Sequence, residues 1–295
     1  MADPATEFLT TRELADLLRI RERKVYELAA SGEVPCSRAT GKLLFPRRAI
    51  EAWVASHSSG ATAENPNRHR RVFLGSHDPL LEWALRTSGA ELAMLFDGSL
   101  DGLERFGRGE GVATGLHVYD PETTEWNLAA VRQRFAHAPV ALVEFAWRDR
   151  GLVVAPAKES VLADVAALRG TRLVPRQEAA GSQVLLRHLM AQAGLGERDV
   201  EWAQTARTES DAALAVLEGK ADAAFGLRAM ARQLRLGFVP LVRERFDLLI
   251  DRAAWFDPPL QRLVDFCRSA AFLAKARELT GYDLVGFGHV HFNGG

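Results

Sequence analysis

The chain lacks the features that would place it in several large classes. It has only two cysteines in 295 residues, Cys36 and Cys267, far apart and outside any CxxC or Cys/His spacing. No disulfide framework and no structural zinc are expected, which fits a reducing compartment. No apolar run approaches the ~18–20 residues a membrane span needs, so no membrane partner is expected. The opening MADPATEF has no basic stretch leading into an apolar one, so no export signal is read and the expected location is the cytoplasm. A large charge of one sign is missing too, because 37 Lys+Arg face 38 Asp+Glu for a net charge of −1. That excludes a generally basic nucleic-acid coat, and any affinity for DNA must be local. No HExxH, GxSxG, Walker A or Rossmann glycine pattern occurs. GRGEG at 107–111 closes a helical pattern instead of following a strand. Histidines are scattered, and only His289 and His291 alternate locally, as an adventitious metal pair or an exposed tail. No nucleophile and base stand at local spacing. The chain is read as a non-enzyme with no catalytic residue, no resident cofactor and no metal site.

What is present starts at Phe8. Thr10 or Thr11 suits a helix cap, and Glu13 completes a capping box with Thr10. Leu14, Leu17 and Leu18 then fall on one face at helical spacing. A second helical pattern begins near Arg21, buries Val25 and Leu28, and stops at Gly32, which is free to take positive φ. The pair reads as a helix-turn-helix. Ser37 to Leu44 reads as a tight hairpin around Thr40-Gly41, and Arg47 to Val54 as a closing helix. Between Arg21 and Arg48 there are seven basic residues (Arg21, Arg23, Lys24, Arg38, Lys42, Arg47, Arg48) and three acidic ones (Glu22, Glu27, Glu33), an excess of four positive charges. Such a local excess suits a phosphate backbone. A small protein-interaction module with solvated charges is the alternative.

The pieces LTTRELADLL, RKVYELAASGEVP, GKLLFPR and IEAWV together resemble the excisionase-like branch of winged helix-turn-helix proteins, related to the MerR type. The resemblance covers about the first fifth of the chain. It implies that double-stranded DNA is a partner, met by Thr11, Arg21, Arg23, Lys24, Tyr26, Arg38, Lys42 and Arg47. One small winged domain offers few base contacts, so a homodimer is expected.

After this domain (1–56) the composition turns small and polar. Residues 57–71 read as a linker ending in Arg68-His69-Arg70-Arg71, a second phosphate contact or a solvated charge run. From Val72 short apolar strands alternate with amphipathic helices. Strands are expected at 72–75, 92–96, 112–118, 139–147, 151–156, 171–175, 221–227, 238–241 and 246–250. Helices are expected at 79–87, 100–106, 128–135, near 162–168, and at 183–193, 210–218, 258–270 and 272–279. This βα order predicts an α/β domain with a largely parallel sheet. At 139–156 and 238–250 one strand ends and another begins within a few residues. Two such crossings would make a hinge between a first lobe (about 72–148 and 244–295) and a second (about 149–243).

Seven segments carry a second resemblance: GSHDP (75–79), LFDGSLDGLERFGRGEG (95–111), TGLHVYDPETTEWN (114–127), RDRGLVVAP (148–156), VPRQEAAGS (174–182), EGKADAAFGLRAMA (218–231) and GFVPLVRERFDLLI (237–250). Together they resemble the type II periplasmic-binding-protein fold. More narrowly, they resemble the substrate-binding domain behind helix-turn-helix domains in bacterial regulators, related to molybdate-binding proteins. The chain departs from that pattern at the turn Ala180-Gly181-Ser182-Gln183, which lacks a Thr-Arg pair, and at Glu209, where a histidine is often found. In open α/β lobes ligands bind beyond the carboxyl ends of strands, where helix N-termini point inward. Three loops fit: Gly75 to Asp78, Asp97 to Ser99, and Ala180 to Ser182. Each pairs a glycine with a serine hydroxyl at the start of a helix, chemistry that binds oxyanions without lysine or arginine. The candidate ligand residues are Ser76, His77, Ser99, Thr114, His117, Arg176, Ser182 and Thr208. The resemblance implies molybdate or tungstate as effector. Asp78, Asp97 and Glu209 oppose a dianion if they face the cleft, unless each caps its own helix. A small polar organic metabolite, read by Asp78, Glu209, Arg176 or Trp126, is the alternative.

The domain order predicts a ligand-responsive DNA-binding transcription regulator. The alternatives are an excisionase-like accessory DNA-binding protein with a structural second domain, and an enzyme on the two-lobe fold.

Overall fold

The computed structural model describes residues 8–38, 41–57 and 71–295. They belong to two compact units, Met1–Asn65 and Pro66–Gly295. Of the expected linker, only its end residues, 57 and 71, are described. Thr40 at the hairpin tip, the Arg48 side chain and Arg68, His69 and Arg70 also lie outside the described residues.

In the first unit, strand β1 (Phe8–Leu9) leads into helix α1 (Thr11–Leu18). Thr10, not Thr11, is the cap. Its hydroxyl accepts the Glu13 N–H at 3.3 Å, and the Glu13 carboxylate accepts the Thr10 N–H at 2.7 Å. Helix α2 (Glu22–Ser31) ends at Gly32, where φ is +75°. Strand β2 (Phe45–Pro46) pairs antiparallel with β1, and helix α3 (Arg47–His57) follows, three residues longer than expected. Ser37 and Leu44 exchange both backbone hydrogen bonds, at 2.7 and 3.0 Å, which closes the expected hairpin. Leu9, Leu14, Ala15, Val25, Ala29, Val34, Phe45 and Ile50 form the core. Leu17 does not join it and is 49% exposed. The buried stripe of α1 runs through Leu14, Ala15 and Leu18, which turns Leu17 onto the flank.

The second unit opens with β3 (Val72–Gly75), α4 (Pro79–Thr87), β4 (Ala93–Leu95), α5 (Ser99–Gly107) and β5 (Ala113–Leu116). A hairpin of β6 (Tyr119–Asp120) and β7 (Glu125–Trp126) follows, then α6 (Leu128–Phe135). The long strand β8 (Val140–Val154) carries the chain onward to β9 (Arg172–Val174), α7 (Gly181–Gln192), β10 (Glu201–Trp202), α8 (Glu209–Leu217), β11 (Ala223–Leu227) and α9 (Arg228–Gln233). A second long strand, β12 (Gly237–Asp251), returns it to α10 (Pro258–Cys267), α11 (Ala270–Leu279), β13 (Tyr282–Asp283) and β14 (Val290–Asn293).

One sheet runs β10-β9-β11-β8-β12-β5-β3-β4, with β13 and β14 also paired to β8. β4-β3-β5 and β10-β9-β11 are parallel sets, and β8 and β12 run antiparallel to their neighbours. The sheet is therefore mixed, not largely parallel. The reason lies in the two crossings. Each expected pair of short strands is a single strand of 15 residues, β8 and β12, paired along their length from Gly237–Val154 to Asp251–Val140. The charged residues at 148–150 and 243–245, which the sequence places between strands, are strand residues. The expected helix near 162–168 is only a single 3-10 turn, Ala166–Leu168. Asp164 takes the Ala167 N–H at 2.9 Å, and only Leu162 and Leu168 are buried in this stretch, which offers no helical stripe. The β6-β7 hairpin, β10, α9, β13 and β14 were not anticipated.

Phe73, Leu80, Leu81, Phe145, Phe246 and Phe272 anchor one core, which continues across the hinge strands to Val153, Ala213, Ala224 and Met230. On the other face, Trp126 from the hairpin packs with Leu152, Leu185, Leu186 and Phe225.

Candidate functional site

The hinge strands place charge in the interior. Arg148 and Arg150 stand two residues apart on β8 and so share a face. Glu244 on β12 is directly opposite Arg148. Its carboxylate takes hydrogen bonds from both arginines, from Arg148 on one oxygen and from Arg150 at 2.7 Å on the other. Arg148 also donates to Asp78 at 2.9 Å, and the Tyr282 hydroxyl donates to the same Asp78 oxygen at 2.8 Å. Arg150 reaches the second lobe, where it meets Glu209 at 2.9 and 3.3 Å. Glu209 accepts from Arg176 at 2.9 Å, and Arg176 also donates to the carbonyls of Ala206 and Arg207. His117 Nδ1 lies 3.0 Å from Glu244. Every member except the partly exposed Tyr282 is buried.

Three arginines thus meet three carboxylates in a chain from α4, across both hinge strands, to the start of α8. Burial alone drives the Glu209 carboxyl upward, but Arg150 and Arg176 outweigh it and hold it at about 2. Glu244 is held well below the usual range against the same burial, by Arg148 and Arg150. Burial lowers the His117 pKa, with Glu244 opposing, so its ring is neutral near pH 7. Arg148 also stacks 4.2 Å from the Phe246 ring centroid.

Beside this chain the lobes meet at two helix N-termini. Ser99 begins α5 and Gly181 begins α7. The Ser76 and Ser99 hydroxyls are 2.9 Å apart, and Ser99 Oγ accepts the His117 N–H at 3.1 Å. The Leu100 N–H, in the first turn of α5, donates to the Ala179 carbonyl at 3.1 Å. The approach depends on two glycines. A Cβ on Gly98 would lie 2.7 Å from the Ala179 oxygen, and one on Gly181 would lie 2.5 Å from the His117 oxygen. The Ser182 hydroxyl, in the first turn of α7, is buried without a hydrogen-bond partner. The lobes are closed, and the chain's own carbonyl occupies the end of α5. At the edge of this contact a cavity of about 360 Å³ is lined by His77, Glu82, Arg86, Met94, Phe96, Thr208 and Ser210.

Ser76 and Ser99 come together with the backbone of His117, Gly181 packs beside them, and Ser182 follows in the first turn of α7. His77 bridges the lobes instead. Its Nδ1 accepts the Glu209 N–H at 3.3 Å, which leaves Nε2 as the donor to Glu82 at 2.8 Å. Arg176 is not a free anion clamp, being committed to Glu209 and two carbonyls. Thr208 caps α8, accepting the Asp211 N–H at 3.0 Å. Thr114 Oγ1 is buried where α5 packs on β3, within 2.5 Å of the Cβ position of Gly75 and 2.4 Å of that of Gly102. Asp78 caps α4 through the Leu81 N–H at 2.7 Å, and Asp97 faces Arg207 at 3.4 Å. Trp126 is core, and its carbonyl accepts from Arg245. Arg148, Arg150, Glu244 and Tyr282 were missed. The pattern Arg-x-Arg between apolar residues was their signal, and it went unread because the strand was divided there.

In the first unit Arg21, Arg23, Lys24, Tyr26, Lys42 and Arg47 are exposed. Arg23 and Lys24 make only surface pairs with Glu27, at 3.3 and 3.5 Å. Thr11 is half-buried, and Arg38 donates to the Ala29 carbonyl at 3.3 Å, which fastens the hairpin to α2.

A model of the PBP superfamily domain matches residues 82–268. The chain belongs to the PBP superfamily. In front of its PBP domain, a helix-turn-helix domain model matches residues 8–58. The uncharacterized protein YvgK of Bacillus subtilis (strain 168) is 23% identical to this PBP-family chain over 296 residues, covering 94% of this chain and 96% of YvgK. An uncharacterized protein in the 5′ region of the 2Fe-2S ferredoxin gene of Clostridium pasteurianum is 34% identical over 76 residues, covering 25% of this chain and 67% of that one. Among solved structures, PhnD1 of Prochlorococcus marinus in complex with methylphosphonate is 11% identical, with a TM-score of 0.47, covering 72% of this chain and 90% of that one. The periplasmic aliphatic sulphonate binding protein SsuA of Escherichia coli is 20% identical, with a TM-score of 0.43, covering 71% of this chain and 79% of that one. No helix among the described residues is long and apolar enough to cross a membrane.

Proposed function

We propose that this chain is a ligand-responsive transcription regulator, cytoplasmic and dimeric. Its helix-turn-helix domain reads duplex DNA, and its PBP domain senses a small anion between the lobes. The observation that carries the reading is the meeting of the α5 and α7 N-termini, with Ser76 and Ser99 hydrogen-bonded there and the buried Ser182 hydroxyl in the first turn of α7 left without a partner. The carboxylates that would repel an anion are neutralised, because Asp78, Glu209 and Glu244 are each paired with arginine. A ligand displaces the Ala179 carbonyl from the end of α5, changes how the lobes meet and so alters the spacing of two DNA-binding domains.

A thermal-shift series with molybdate, tungstate, sulfate and phosphate tests this. Molybdate and tungstate enter because of the resemblance. A ligand at ~100 times its dissociation constant adds roughly 2.7 kcal/mol of apparent stability. A stabilising anion should also change affinity for duplex DNA. Stabilisation with unchanged DNA affinity and spacing would sink the regulatory mechanism. A second reading, an accessory DNA-binding protein with a structural second domain, is favoured by the closed lobes, and it predicts no stabilising ligand at all.

A further inference from the structure

The anion seat proposed above has a charge of its own, and its sum selects among ligands. Three arginines, Arg148, Arg150 and Arg176, are matched by three carboxylates, Asp78, Glu209 and Glu244, all buried. His117, in contact with Glu244, adds no charge as a neutral ring. His77 accepts the Glu209 N–H on Nδ1 and faces Glu82 on Nε2, and Glu82 is paired with Arg86. The carboxylates flanking the two helix starts each meet an arginine, Asp97 with Arg207, Asp101 with Arg105 and Glu178 with Arg187, and Arg105 and Arg187 are shared with the outlying Glu110 and Glu197. Once a ligand displaces the Ala179 carbonyl from α5, what remains uncompensated is the positive end of α5 and that of α7, about half a unit charge each. The seat therefore offers about one positive charge, with hydroxyls of Ser76, Ser99 and Ser182 to orient it. Ser182 is 1% exposed and has no partner, so its hydroxyl is ready to serve a ligand.

We infer that the ligand of this site is a singly charged anion, a monovalent oxyanion or an organic sulfonate or carboxylate, in preference to a dianion. A second negative charge in the closed seat would be buried without a counter-charge, and burying an unpaired charge is strongly unfavourable. This rests on the reading of the cleft as an anion site.

The test holds shape constant and changes charge. Perrhenate and tungstate are tetrahedral oxyanions of similar size carrying one and two negative charges. Methanesulfonate and sulfate form a second pair. Thermal shift and calorimetric titration of the full chain at pH 7.5 should show perrhenate and methanesulfonate binding at least tenfold tighter than their dianionic counterparts, about 1.4 kcal/mol. Tungstate or sulfate binding as tightly or more tightly overturns the inference and leaves the anion site standing. No response to any of the four removes the site itself. Glu209→Gln takes one negative charge out of the chain, so the preference should shift toward tungstate. Ser182→Ala should weaken both members of a pair alike. The comparison on the unaltered chain decides the matter even if Glu209→Gln folds poorly. An unchanged charge preference in a folded Glu209→Gln variant would also count against the inference.

Discussion

Adding one methyl group at Gly181 should part the lobes. Gly181 opens α7 outside the left-handed region, so alanine tolerates its backbone. The added Cβ would sit 2.5 Å from the His117 carbonyl oxygen and 3.1 Å from Ser99 Oγ, both across the lobe contact. The first atom is backbone and cannot swing away as a side chain does. Overfilling such a contact costs roughly 1–3 kcal/mol, which lowers the ratio of closed to open molecules about 5- to 150-fold. Gly→Ala also restricts the unfolded chain, a stabilising effect of about 0.4–1 kcal/mol, so the melting temperature mixes two opposing effects and does not isolate closure. Native-state hydrogen exchange gives the readout. The Leu100 amide, bonded to Ala179, and the Glu209 amide, bonded to His77, both report closure. In Gly181→Ala both should exchange faster by the factor above, while amides of β3 and β5 keep their protection. Unchanged exchange at Leu100 and Glu209 would refute the reasoning, because the lobes would then not be held by this contact.

Arg23→Ala and Lys24→Ala should each weaken duplex DNA binding and flatten its salt dependence by about one unit of slope, with ligand-induced stabilisation intact; equal loss of both would point to misfolding. Glu244→Gln should destabilise the PBP domain by about 3–5 kcal/mol, since it leaves buried arginine charge uncompensated, and a denaturant midpoint near wild type would show that the ion chain is dispensable. For His117, burial depresses the folded pKa below 6.5, so its stabilising contribution is complete above pH 6.5 and is lost as pH falls. His117→Asn should remove that part of the pH dependence, and an unaltered profile would exclude it. Glu209 has the same sign in a lower window, with its contribution full above pH 4.5 and lost toward about 2, so Glu209→Gln should flatten acid denaturation there.

Much of the architecture was legible because it is locally encoded. The capping box at Thr10 and Glu13, the stop at Gly32 and the Ser37–Leu44 hairpin each depend on residues a few positions apart. Helices α4 and α6 fell where their apolar spacing put them, at Pro79–Thr87 and Leu128–Phe135. The hinge was legible as a place but not as a structure. Arg148-Asp149-Arg150 and Arg243-Glu244-Arg245 look like breaks in a strand, since charged residues are rarely buried unless paired. Their partners lie up to 127 positions away, as His117 does from Glu244, and no local window contains both. Of the candidate site, the serines at helix starts were readable because glycine, hydroxyl and helix onset are neighbours in the chain. The commitments of Arg176 to Glu209 and of His77 to the Glu209 amide were not, because they join residues 33 and 132 positions apart.

By itself, then, the sequence determined a small winged helix-turn-helix with a local excess of positive charge, followed by an α/β chain with polar turns at its helix starts. These are properties of spacing and of neighbouring side chains, and they persist however the distant parts are arranged. Only the tertiary structure decided that β8 and β12 run unbroken through the hinge and that three buried arginines are cancelled by three buried carboxylates. It also decided that the lobes meet through Gly98 and Gly181. The physical reason is that a charge can stay buried only when a partner is brought to it. That partner is supplied by the fold, from a part of the chain that no local pattern points to.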